Sequence, residues 1–159
     1  MRKTFAKLIV ELAKNDPTIY LITGDIGYQI FDEFRELFPD RFINFGIKEQ
    51  SMIGFASGMA LKGLKPYVYT ITPFLIERAF EQVKLDIAQQ NTNVVLVGYA
   101  DYPGQGPTHA ELDPRITLSL HENLKLFFPR NSTETEIYVK ESYERQGPSF
   151  ISLKKEPEN

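Results

Sequence analysis

A glutamate, a histidine, an aspartate and a phenylalanine are the residues of this sequence whose settings could serve chemistry. Glu49 opens the stretch E-Q-S-M-I-G-F-A-S-G-M-A-L-K-G, which reads as a helix from about Glu49 to Gly63. Along it Gly54, Ser57, Gly58 and Leu61 recur at i, i+3, i+4 and i+7, so one face is nearly bare of side-chain volume. A helical glycine costs about 1 kcal/mol against alanine, and two on one face imply close approach by another element. Ile53, Ala56 and Ala60 form a second apolar line, so the helix is expected to be buried almost all round. A carboxylate at the mouth of such a helix has two readings. It complements the helix dipole, worth roughly 0.3–1 kcal/mol, or it hydrogen-bonds a ring nitrogen of a ligand in a dry pocket. Position alone favours the first.

His109 ends the run G-Q-G-P-T-H, whose glycines Gly104 and Gly106 would let backbone approach a ligand. A lone loop histidine is as a rule a surface group, so both readings stay open, and His121 is left structural. Asp25 sits in G-D-I-G, which with Asn44 faintly echoes the G-D-G…N pattern that holds a magnesium diphosphate. Ile26 replaces the second glycine and the gap to Asn44 is short. A metal site is therefore rejected, and Asp25 is a loop acid or a site contact. Phe74, Arg78 and Phe80 begin a helical pattern. Such aromatics are as a rule core and such arginines solvated, yet Phe74, at the helix entrance, could present its face to a ligand ring.

The rest of the chain must position these groups. Its 159 residues are expected to form one domain, 1–159, with ordinary charged and hydrophobic fractions. A net charge of −3 without a basic stripe argues against nucleic acid. No apolar run is long enough to span a bilayer. With no cysteine there is no disulfide framework and no thiolate nucleophile. A soluble, cytoplasmic protein is expected, and the polar tail K-K-E-P-E-N reads as a natural end.

Helical spacing at Phe5, Leu8, Ile9, Leu12 and Ala13 gives a first helix, stopped by Asn15-Asp16-Pro17. Strands are expected at Thr18–Thr23, Phe42–Phe45, Pro66–Thr70, Val94–Val97, Leu124–Phe128 and Ser149–Leu153. Helices are expected from Ile30 to Phe38, from Glu49, across Ala79, Phe80, Val83 and Ile87, and over Thr133–Arg145. Alternation of strands with helices, several strands apolar on both faces, predicts a doubly wound α/β fold, a mostly parallel sheet covered on both sides in three layers. Ligands of such sheets bind beyond the carboxyl ends of the strands, here the loops at Gly24, Gly46, Thr72 and Tyr99.

F-G-I-K-E-Q-S-M-I-G-F-A-S-G-M-A-L-K-G, P-Y-V-Y-T, F-L-I-E-R-A-F-E-Q-V-K-L-D-I-A and G-P-T-H, in this order, resemble the pyrimidine-binding domain of transketolase-like thiamine diphosphate enzymes. The resemblance runs from the Asp25 loop to the closing G-P-S-F-I-S-L. It implies that Glu49 hydrogen-bonds the aminopyrimidine of the cofactor and favours its imino form, which activates the thiazolium carbon toward a carbonyl substrate. It implies that Phe74 packs on the pyrimidine ring, that His109 faces substrate, and that Asp25 lies near the cofactor. Gln105 stands where sugar transketolases carry the aspartate of G-E-D-G-P-T-H, which contacts a substrate hydroxyl.

The family's diphosphate-binding domain, which carries G-D-G…N and holds magnesium, has no counterpart in the sequence. The resemblance therefore implies half a site, completed by a separate subunit in a homodimer or heterotetramer, with magnesium bound by that partner. The expected activity is two-carbon ketol transfer. Two alternatives stand beside it: a subunit of a 2-oxoacid decarboxylase or dehydrogenase, and a non-catalytic regulatory subunit.

Overall fold

The computed structural model describes residues 1–100, 105–119 and 121–155. Pro103 and Gly104 of the glycine-rich loop, and the last four residues of the tail, lie outside that range. The strands are β1 (Ile19–Thr23), β2 (Phe42–Asn44), β3 (Lys65–Ile71), β4 (Val95–Tyr99), β5 (Lys125–Phe127) and β6 (Ser149–Leu153). They form one six-stranded sheet in the order β2-β1-β3-β4-β6-β5, and every pairing is parallel. The expected three-layer α/β fold is observed.

Parallel strands are buried on both faces, and the side chains alternate accordingly. Ile19, Leu21, Tyr67, Tyr69, Val95, Val97, Ile151 and Leu153 point to one side, where α1 (Arg2–Asn15), α2 (Asp32–Leu37) and α6 (Ser132–Glu144) cover them. Phe5 of α1 anchors that layer, with ring centroids of Phe31, Tyr67 and Tyr69 at 5.9, 6.2 and 6.3 Å. Ile22, Val68, Leu96 and Phe150 point to the other side. There they meet α3 (Glu49–Leu61), α4 (Thr72–Ile76) and the segment that follows α4.

The elements depart from the sequence pattern at the second and third helices and along the Phe74–Ile87 helix. The second helix is only Asp32–Leu37, followed by a 3₁₀ turn at Pro39–Arg41. The pattern through Phe74, Arg78 and Ile87 is not one helix. It is α4, a break at residues 77–79, a single turn α5 (Phe80–Gln82), and a π-helical stretch Val83–Gln89. The widened turn leaves the Asp86 carbonyl to accept from the Ser57 hydroxyl at 2.7 Å and from Thr92 at 3.2 Å. Hydroxyls from outside the helix thus bond a carbonyl of the widened stretch.

The third departure concerns α3. Gly54 and Ser57 do pack closely on the π segment, with the Asp86 carboxylate 3.4 Å from where a Gly54 Cβ would sit. Gly58, however, faces open space, and Phe55 and Leu61 are exposed. The helix is therefore not buried all round.

Lys65, at the start of β3, is a buried cation whose Nζ donates to Asn93 Oδ1 at 3.1 Å and to the Arg145 carbonyl at 3.0 Å. Burial pushes its pKa from 10.5 down to about 8, against the attraction of Asp16. Between about pH 8 and 10.5 the unfolded chain therefore holds more protons than the folded one, and stability rises with pH across that window. Below it the burial penalty is fully present. Urea titrations of the wild type should show a gain on the order of 2 kcal/mol across the window, a slope that Lys65→Met flattens.

Candidate active site

Parallel topology puts the carboxyl ends of β1 to β4 on one edge, and the loops at Gly24, Gly46, Thr72 and Tyr99 all leave from it. The order of the strands reverses between β1 and β3, where crossovers leave in opposite directions. Gly46 (φ +69°) turns the chain from β2 toward α3, and Asn44 Oδ1 accepts its N–H at 2.9 Å.

Glu49 is the first residue of α3 and its side chain is only 3% exposed. A dipole-complementing acid has no need of burial, whereas a buried carboxylate needs a partner. The partner is Arg78, in the break after α4, whose Nη1 lies 3.2 Å from both carboxylate oxygens. The same guanidinium lies over the Phe74 ring, its carbon 3.9 Å from the centroid. Phe74 in turn meets the His109 imidazole edge to face at 4.9 Å. Glu49, Arg78, Phe74 and His109 thus form one continuous line of contacts.

Two further bonds tie the break to its surroundings. Gln50 Nε2 donates to the Arg78 carbonyl at 3.4 Å, and the Leu112 N–H donates to Glu77 Oε1 at 2.8 Å. The second fastens the loop carrying His109 to the end of α4. Within that loop the Thr108 hydroxyl is 3.1 Å from His109 Nδ1. Gln105 is exposed at its described start.

Asp25 lies in a separate cluster on the same edge. It adopts left-handed backbone geometry (φ 56°), its N–H donates to Asn44 Oδ1 at 3.0 Å, and its carboxylate accepts from Tyr28 at 2.8 Å and Asn44 at 3.2 Å. The Tyr28 hydroxyl, then Asn44, hold its carboxyl below the ordinary carboxylate range. Asn44, which figured in the sequence only as a failed metal motif, is the residue that closes this loop. Among the described residues no group of three or more His, Asp or Glu side chains is placed to hold a metal ion, and no helix is long and apolar enough to cross a membrane.

Arg78 is the functional candidate that residue-type reasoning sets aside as solvated. The signal that could have found it is its spacing, four residues after Phe74, which on a helical turn puts a guanidinium over the ring.

Comparison with known proteins places these observations. The family model described as "Transketolase, pyrimidine binding domain" matches residues 1–157. The chain is 38% identical over 123 residues to an apulose-4-phosphate transketolase subunit of Actinobacillus succinogenes, covering 76% of this chain and 40% of that protein. It is 38% identical over 141 residues to 1-deoxy-D-xylulose-5-phosphate synthase of Clostridium perfringens, covering 86% of this chain and 22% of that enzyme. A solved structure titled "Split gene transketolase, inactive beta4 tetramer" superposes with a TM-score of 0.89 at 29% identity, over 99% of this chain and 52% of that one. The chain thus spans about half, or less, of the length of each of these relatives.

Proposed function

The chain belongs to the transketolase pyrimidine-binding domain family, and we propose that it serves, as one pyrimidine-binding domain, a split thiamine diphosphate-dependent transketolase-like enzyme. The observation that carries the reading is the Glu49 carboxylate, buried at the head of α3 and presented to a flat N–H donor that rests on Phe74. A flat donor fits that place, as the guanidinium does, and the aminopyrimidine of thiamine diphosphate is a second such group. When bound, the cofactor supplies a nucleophilic thiazolium carbon for two-carbon ketol transfer between carbonyl compounds.

Glu49 holds the pyrimidine ring nitrogen and shares a proton with it through one carboxylate oxygen. Phe74 gives the ring a surface to pack on. His109, in edge-to-face contact with Phe74, faces the substrate, with Gln105 beside it as a substrate contact. Asp25, fixed by Asn44 and Tyr28, borders the cofactor.

A separate subunit carrying G-D-G…N would hold the diphosphate and magnesium and complete the site, in a homodimer or heterotetramer in the cytoplasm. Support comes from the Actinobacillus relative, itself named as one subunit of a transketolase, and from the split-gene structure. The exposed Phe55 and Leu61 of α3, with Ile47 before it, offer apolar surface for such a contact.

The test is reconstitution with the chain that co-purifies at native expression level. Alone, the chain should bind thiamine diphosphate weakly and turn over nothing, while the pair should consume ketose phosphates. Gln105 gives one reason to assay pyruvate-like acids in parallel. Turnover of those acids alone would make the protein a 2-oxoacid decarboxylase or dehydrogenase subunit. Calorimetry showing no cofactor binding even with the partner present would make it a regulatory subunit.

A further inference from the structure

We propose that Arg78 is a resident stand-in for the cofactor's pyrimidine, seated in the pyrimidine subsite until the cofactor displaces it. The inference rests on the assignment of Glu49 and Phe74 to that subsite. The guanidinium meets both halves of the recognition at once. Its Nη1 donates to the two Glu49 oxygens at 3.2 Å, and its plane covers the Phe74 ring at 3.9 Å. A pyrimidine that bonds Glu49 and packs on this face of Phe74 needs the same volume, so the two groups exclude one another.

The pair is built asymmetrically. Glu49 is sealed at 3% exposure, whereas the Arg78 side chain is 41% exposed. Arg78 also sits in the break between α4 and α5, where its N–H bonds back to Pro73 rather than along a regular helix. The arginine therefore has a way out into solvent, and the carboxylate has none. Burial supplies the reason for a stand-in: a sealed carboxylate without a partner is costly, and Arg78 partners it whenever the pyrimidine is absent. If the arginine is seated in about nine molecules in ten, the apparent affinity for pyrimidine falls about tenfold.

The test is an NMR titration of the full chain with thiamine and with its free aminopyrimidine half. In the wild type, ligand should move the Arg78 guanidinium signal toward its solvent-exposed position, an arm that needs no variant. Arg78→Met should bind the aminopyrimidine about tenfold more tightly, and Glu49→Gln should abolish binding in either background. Binding that leaves the Arg78 signal unmoved, or that is no tighter in Arg78→Met, would overturn the stand-in while leaving the subsite intact. Binding unaffected by Glu49→Gln, or no binding by any form even with the partner present, would overturn the subsite assignment and the stand-in with it.

Discussion

Glu49→Gln in the reconstituted pair is expected to lower kcat by about 10²–10⁴-fold, the usual range for loss of a positioned acid–base group. The substitution keeps the shape and a hydrogen-bonding end but removes the proton that the carboxyl can give and take. Stability should change little, because the arginine left behind is half exposed and can turn to water. The competing role gives the opposite pattern. A helix-dipole device would lose roughly 0.3–1 kcal/mol of stability and none of the rate. Steady-state kinetics beside thermal melts separates the two. A variant that melts lower and turns over at the full rate would show that the burial of Glu49 serves the fold.

The choice between those roles also shows where sequence reasoning runs out. The strands are legible because β-branched and aromatic runs such as I-Y-L-I-T and V-L-V-G-Y are buried on both faces, and alternation with helices leaves few arrangements for them. The start of α3 at Glu49 is legible for a similar reason, since Gly46 punctuates the turn before it. Arg78 is not. Its role depends on α4 stopping at Ile76, which brings residue 78 across to a carboxylate 29 positions earlier. Nothing in the helical spacing through Ile87 announces that stop.

The π segment is hidden likewise, since the hydroxyls that bond its Asp86 carbonyl include one from another helix. On α3 the spacing announces a face of small residues correctly, and a fully covered face incorrectly. A stripe of Gly and Ser looks the same whether its neighbour belongs to the same chain, as at Gly54, or is absent from it, as at Gly58.

Gly98→Val is expected to destabilise the fold by about 3 kcal/mol and to weaken cofactor binding by the reconstituted pair. Strand propensity alone gives the opposite sign, since valine is favoured over glycine in strands by up to about 1 kcal/mol. Packing decides against it. A Cβ on Gly98 would lie 2.5 Å from Thr72 Oγ1 and 3.0 and 3.2 Å from ring carbons of Phe150. Both neighbours are fully buried, Phe150 in β6 beside Gly98 and Thr72 as the first residue of α4. The shorter contact is the one to Thr72, so the larger shift falls on α4, which carries Phe74 to the pyrimidine subsite. Urea titration should show a lower midpoint with an unchanged slope.

The path of the strain can be isolated. Thr72 Oγ1 is buried without a hydrogen-bond partner, so Thr72→Ala on its own should cost little. Combined with Gly98→Ala it should recover part of that variant's loss, a positive coupling between touching sites. If the two effects simply add, the clash passes through Phe150 rather than α4, and cofactor affinity should then be unaffected by either change.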